Sequence, residues 1–148
     1  MNKYKSARRG RFIPKNPSKW ISPKKIEYKS SIEQRFFTFF DLSKSVIKIA
    51  SEKVIVPYYD TVRQKRRRYY VDLIVQYRNN HDEIFTKLIE IKSFTESIEP
   101  KKPKRMTENY KNSVATYITN TCKWEAATAY AEQKGWTFIV LTERDLKR

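Results

Sequence analysis

The stretch YYVDLIVQYRNNHDEIFTKLIEIK, residues 69–92, reads as two β-strands folded back on each other. Residues 69–77 and 84–92 are rich in β-branched, aromatic and aliphatic side chains, and the polar segment RNNHDE, 78–83, is the turn between them. With His81 at the centre of the fold-back, Asp72 faces Glu90 across the strands, which places their Cβ atoms about 4.5–5.5 Å apart. Side chains alternate, so Ile74, Gln76, Leu88 and Lys92 share the face of the two acids. Leu73, Val75, Ile89 and Ile91 occupy the other. Strands apolar on both faces belong inside a sheet that is covered on both sides.

Glu90 and Lys92 sit two apart in an apolar run, and burying a charge is expensive unless it is paired or binds something. Two carboxylates directly opposed repel each other. A hard divalent cation reverses the sign of that interaction, and Mg²⁺ typically takes one or two protein carboxylates and completes its shell with water and phosphate oxygens. Lys92, beside that point, can orient or deprotonate an attacking water or stabilise charge developing on a phosphate. The plainer alternative is a structural ion pair, Glu90–Lys92 or Asp72–Lys92. Glu33 is the third acid of interest. Three residues after Ser30 it can close a capping box, yet it lies on the helix flank shared by Phe36, Phe37 and Phe40 and is expected to face inward; the two roles are compatible.

Composition narrows the partner. The 148 residues suffice for one domain with a sizeable core. A formal net charge of +16 points to a polyanion, with nucleic acid ahead of an anionic membrane surface. No apolar run approaches the roughly 18 residues of a spanning helix, and the basic N-terminus lacks the apolar segment of a signal peptide. A lone cysteine, Cys122, leaves no intramolecular disulfide and makes a thiolate zinc site improbable. Two glycines, Gly10 and Gly135, leave no Gly-rich phosphate loop, so no nucleotide cofactor is expected. Acids and lysines remain as the catalytic groups.

Along the chain, residues 1–29 carry ten Lys/Arg against Glu27 alone, a net +9. Pro14, Pro17 and Pro23 forbid a continuous helix there, so the segment reads as an extended basic N-terminal arm before a domain over 30–148. Tyr4, Phe12, Trp20 and Tyr28 favour its partial docking on the domain or on DNA. Residues 30–43 read as a helix capped by Ser30 or Ser31, with Ile32, Phe36, Phe39 and Phe40 at helical spacing. Residues 52–59 read as a strand that Pro57 confines to an edge, and RQKRRR, 63–68, as a basic connection. Residues 107–133 read as helical with a possible break near Asn120, Gly135 as the C-terminal cap, 136–141 as a last strand, and Thr142 as a cap for a short terminal helix. The basic runs at 63–68 and 101–105 border the catalytic strands, which makes Arg66, Arg67, Arg68, Lys101, Lys102, Lys104 and Arg105 candidates for DNA backbone contact, with Lys123 on the long helix.

Helix acid Glu33, strand acid Asp72 and the Glu90-Ile91-Lys92 motif resemble the PD-(D/E)XK nuclease superfamily. The ordered series RFIPKNPSKW, YKSSIEQRF, EKVIVPYY, RRRYYVDLIV, LIEIKS, KKPKR, CKWEAATAYAEQKGW and FIVLTERDL resembles the phage head completion nucleases, which are similar to the N-terminal nuclease domain of the transposase subunit TnsA. The similarity runs from about residue 11 to 146. Val71 stands where the superfamily motif often has proline, which is not a ligand. The resemblance implies an α/β fold, a restriction-endonuclease-like mixed β-sheet flanked by helices. It implies Mg²⁺-dependent (or Mn²⁺-dependent) hydrolysis of DNA phosphodiesters to 5′-phosphate ends, endo- or exonucleolytic. Asp72 and Glu90 would bind the metal with the Ile91 carbonyl, Glu33 would bind it directly or through water, and Lys92 would serve the attacking water. The implied setting is head completion and head–tail joining in the host cytoplasm, with head or neck proteins as partners. The alternative from another class is a non-catalytic DNA-binding protein of the virion head or neck.

Overall fold

The computed structural model describes residues 9–21 and 25–146; Lys3, Lys5, Arg8, Pro23, Lys24 and Tyr4 of the basic segment lie outside them. The central hairpin forms in the expected register. β6 (Leu73–Arg78) pairs antiparallel with β7 (Ile84–Ile91), Leu73 opposite Ile89 and Arg78 opposite Ile84, so Asp72 stands opposite Glu90 at the mouth of the pair. Asn79 holds the turn through its side-chain oxygen, which accepts the backbone N–H groups of His81 and Glu83, both at 2.9 Å. That side-chain bond is how an Asn stabilises a tight turn.

Two further strands complete the main sheet. β3 (Val46–Ser51) adds antiparallel to β6, with a bulge between Val46 and Lys48, and β8 (Thr137–Leu141) adds parallel to β7, giving the order β3-β6-β7-β8. A parallel neighbour requires a crossover. The short α2 (Phe94–Ser97) and the long α3 (Glu108–Gln133) supply it, and α3 is continuous through Asn120 rather than broken. Gly135, at φ +74°, ends α3 in the left-handed conformation that glycine adopts without strain. Thr142 caps the final 3₁₀ turn, Glu143–Leu146, by accepting the Arg144 N–H.

Each face of the sheet is covered by a different layer. Leu73, Val75, Ile89 and Ile91 pack under α1 (Ser31–Leu42), against Phe36, Phe37 and Phe40. Ser30 caps α1 by accepting the Glu33 N–H at 3.1 Å. Phe37, not Phe39, completes this stripe; Phe39 is 45% exposed, because it falls on the flank of the helix turned away from the sheet. Phe12, Trp20 and Ile26 belong to the same core, and the strands β1 (Gly10–Phe12) and β2 (Ile26–Tyr28) pair antiparallel over it. Phe12 and Trp20 are thus committed inside the molecule. On the opposite face Ile74 and Leu88 meet Ala127 and Ala131 of α3, with Val56, Tyr58, Tyr69 and Val71.

Those last residues reveal where the segment 52–77 departs from expectation. β4 (Ile55–Asp60) pairs with β5 (Lys65–Tyr70) as a separate two-stranded hairpin. The run read as a basic connection is therefore mostly strand, and the single strand expected over 69–77 is two. The chain passes from one sheet to the other at Val71–Asp72, where the Val71 N–H bonds to the Val54 carbonyl at 3.0 Å and the Glu52 N–H to the Asp72 carbonyl at 3.1 Å. A two-stranded ribbon is all edge, so it tolerates Pro57 and a row of Lys and Arg that an interior strand would not.

Asp41, buried at the end of α1, ties the N-terminal segment down. It accepts the N–H groups of Lys15 (2.8 Å) and Asn16 (3.2 Å) and the indole N–H of Trp20 (3.0 Å). Asp41→Ala strands three donors and is expected to cost about 2–4 kcal/mol in urea denaturation, while Asp41→Asn, which keeps one acceptor oxygen, costs about half as much. A loss below about 1 kcal/mol for the alanine variant would mean that Asp41 does not hold this segment.

Candidate active site

The exit from β5 into β6 and the end of β7 converge beside the N-terminus of α1. A cavity of about 810 Å³ lies there, lined by Glu33, Asp72, Glu90, Ile91 and Lys92, with Arg68 and Lys123 at its wall. The sequence-predicted acids and lysine are thereby brought to one place. Arg66 and Arg67 do not line this cavity, nor do the exposed Lys101, Lys102, Lys104 and Arg105 on the loop after α2.

Two residues that sequence reasoning passed over hold the site together. Tyr69 is buried, and its hydroxyl donates to Oε2 of Glu90. Lys29 reaches the cavity wall; its backbone N–H donates to Oε2 of Glu33 and its ammonium pairs with Glu52. Glu33 therefore does close on the start of its helix, through Lys29 and not Ser30, while still lining the cavity. No short-range signal marks Lys29 or Tyr69: one is a single lysine between Tyr28 and Ser30 in a basic segment, and the other becomes a partner of Glu90 only because the chain changes sheets after Tyr70.

The electrostatics are those of acids short of positive charge. Burial, and then the charge of Glu90, push Asp72 up to about 8, although its Oδ2 accepts the Ile91 N–H at 2.8 Å and Lys92 and Lys29 act the other way. Burial likewise raises Glu90, against the Tyr69 hydrogen bond and the charges of Lys92 and Lys123. Lys92 Nζ lies 3.7 Å from Glu90 Oε1, an ion pair too long for a direct hydrogen bond. Glu33 is also raised, chiefly by burial, with the charge of Asp72 adding to it. On the cationic side, burial lowers Lys123, whose ammonium sits 5.7 Å from the Tyr69 ring centroid. Hydrogen bonding to Glu52 raises Lys29.

This arrangement can take up a hard cation. Asp72 and Glu90 offer hard oxygen donors whose mutual repulsion a divalent ion would remove. Among the described residues no three His, Cys, Asp or Glu side chains converge into a ready-made cage, so two carboxylates, completed by water and substrate oxygens, are the fitting stoichiometry.

An acid whose folded pKa lies above its unfolded value of about 3.9 destabilises the fold as pH rises between the two. Asp72 therefore weakens the metal-free protein between about pH 4 and about pH 8. Asp72→Asn keeps an acceptor for the Ile91 N–H. In chelator it is expected to raise stability at pH 8 by about 1–3 kcal/mol and to lose that advantage near pH 4. Denaturant titrations across that range check it, and equal or lower stability at pH 8 would contradict the like-charge account.

The chain matches the family described as TnsA-like endonuclease N terminal over residues 43–143, a span that includes Asp72, Glu90 and Lys92 and leaves Glu33 outside. It is 37% identical over 143 residues to a protein of Enterobacteria phage T4 named head completion nuclease, with 93% of each chain covered. A match over more than half of the chain, and similarity along nearly all of it to a second protein, agree with the mixed sheet and its two covering layers: the chain belongs to the TnsA-like N-terminal endonuclease family and has a restriction-endonuclease-like fold.

Proposed function

We propose that the protein is a divalent-metal-dependent deoxyribonuclease of phage head completion. The observation that carries the reading is the opposed pair of half-buried Asp72 and buried Glu90, with Lys92 beside it, lining one cavity. Asp72 and Glu90 would hold the metal, with the Ile91 carbonyl as a further ligand and Glu33 bonding to a metal-bound water. Mg²⁺ is the expected ion, with Mn²⁺ able to replace it; when bound it supplies Lewis-acid polarisation of the phosphodiester and a more acidic water.

The chain's own residues do the rest. The Ile91 N–H and the Tyr69 hydroxyl each fix one oxygen of an acid, Oδ2 of Asp72 and Oε2 of Glu90, so Oδ1, and Oε1 at 3.7 Å from Lys92 Nζ, would be the oxygens that meet a cation. Lys92 would hold the attacking water, or meet the charge that builds on the phosphate as the water oxygen bonds to phosphorus and the 3′-oxygen leaves. The products would be a 5′-phosphate and a 3′-hydroxyl. Arg68 and Lys123 put positive charge on the cavity wall for the flanking phosphates. The setting we propose is late assembly in the host cytoplasm, on filled heads before tail joining, with head or neck proteins as partners. Among the described residues no helix is long and apolar enough to cross a membrane.

Purified protein is expected to cut covalently closed plasmid when Mg²⁺ is present and not in chelator. A closed circle has no ends, so its cutting reports endonuclease action, and degradation of only the linear form would assign exonuclease action. Glu90→Gln, Asp72→Asn and Lys92→Ala should each lower the rate by about 10²-fold or more while melting cooperatively. Wild-type rates in any of the three would remove that residue from the mechanism. A purified protein that binds DNA but cuts nothing with Mg²⁺ or Mn²⁺ would favour the structural, non-catalytic alternative.

The metal should also be visible without turnover. Mg²⁺ or Mn²⁺ is expected to raise the melting temperature of the wild type, because binding to the native state stabilises it, and Asp72→Asn should lose the response. The same shift in both proteins would put the ion elsewhere.

A further inference from the structure

Next to the site cavity lies a second one, of about 460 Å³, between the β4–β5 connection and α3. Arg63 and Arg67 form one wall, and Asn112, Thr116 and Asn120 the other. Lys123 lines both cavities, so the two adjoin at that side chain.

Behind the arginines stands Asp60, which is fully buried. Its Oδ2 accepts from Nη1 of Arg63 at 2.9 Å and of Arg67 at 3.4 Å. Its Oδ1 accepts the Thr119 hydroxyl at 3.2 Å and the N–H groups of Val62 (3.0 Å) and Arg63 (3.3 Å). Burial alone would raise this acid, but the donors, Arg63 first, hold it down to about 2, so it is a permanent anion. A single carboxylate thus braces two guanidinium groups whose side chains remain 51% and 40% exposed. A guanidinium carries five N–H donors in a rigid fork, and Asp60 engages one nitrogen of each. With Lys123, the groove has three cations against one anion.

Asn120 adds a neutral donor. It is 5% exposed and borders the cavity.

Braced guanidinium forks, an adjoining lysine and a bordering amide are the donors a phosphodiester selects, since arginine meets phosphate in bidentate geometry. The groove also runs into the site cavity through Lys123, which suits a continuous strand better than a free anion. We infer that Arg63, Arg67, Asn120 and Lys123 form a backbone-binding track that holds a flanking phosphate of the DNA strand being cut. This rests on the nuclease reading and deepens it: Asp60 is the positioning residue of the track, and among the arginines of β5 it selects Arg67. On this account the β4–β5 ribbon is the arm of the protein that grips substrate.

The test uses full-length protein and a fluorescein-labelled duplex in chelator, with anisotropy read across a salt series. Thr116→Glu puts a carboxylate into the groove from an exposed helix position without touching the Asp60 cluster. Ala129→Glu makes the same charge change on an exposed position of α3 outside both cavities. Thr116→Glu is expected to weaken binding about tenfold, and Ala129→Glu less than about twofold. Arg67→Gln, which leaves Arg63 on Asp60, should flatten the slope of log affinity against log salt by about 0.9. If Arg67→Gln does not melt cooperatively, the two glutamate variants decide. Equal affinity for Thr116→Glu and Ala129→Glu, in a protein whose wild type still cuts plasmid, overturns the track alone. A wild type that neither binds nor cuts DNA overturns the nuclease reading and the track with it.

Discussion

Asp72 and Glu90 face each other across the mouth of the β6–β7 pair, and much of the surrounding structure holds two carboxyl groups in a place that disfavours their charged forms. The register of the hairpin sets the opposition. The Ile91 N–H fixes one acid and the Tyr69 hydroxyl the other. Neither donor carries a charge, so both orient an oxygen without neutralising it. Lysines ring the pair, but the nearest, Lys92, stands off at 3.7 Å. What remains is a deficit of positive charge at a fixed point, which is the electrostatic definition of a cation site.

Three aspartates, Asp41 and Asp60 buried and Asp72 half-buried, make the contrast plain. Asp41 is surrounded by donors from the N-terminal segment, and its work is to fasten that segment to α1. Asp60 is surrounded by two arginines, a threonine and two backbone N–H groups, and is held well below the usual carboxylate range. Asp72 has one backbone donor and a glutamate for a neighbour, and is pushed the opposite way. The first two are satisfied and structural, and Asp60 hands its rigidity on to the arginines that flank the site. Only the third is left wanting a partner, in keeping with the tendency of strongly perturbed acids to mark functional sites.

The part of this legible in the sequence is the part decided by alternation. Period-two patterning with a polar turn is enough to oppose Asp72 and Glu90, and to send Leu73, Val75, Ile89 and Ile91 to one core and Ile74 and Leu88 to the other. What was not legible depends on residues far apart. The run at 63–68 looks like a solvated loop because its side chains are basic, yet a two-stranded ribbon at the surface accepts them as a strand. The break at Val71–Asp72 is invisible because Tyr69, Val71 and Leu73 keep one alternation while passing from one sheet to the next. β3, VIKIAS, follows α1 after only a few residues without a strong turn signal, and its pairing with β6 carries a bulge that the sequence does not mark. Lys29, Tyr69 and Asp60 acquire their roles only through tertiary contacts.

Because both acids are raised in the metal-free protein, a metal that binds the pair must displace a proton from it. With Asp72 at about 8 in the metal-free protein, one of the two carboxyls is largely protonated at pH 7, and binding of a divalent cation must release that proton. Titration calorimetry with Mg²⁺ or Mn²⁺ at pH 7, in buffers of different ionisation enthalpy, counts the protons directly. The account predicts one bound ion with release of about one proton, and loss of both in Glu90→Gln and Asp72→Asn. Binding of the ion without proton release, or with the same release in the two variants, would contradict it.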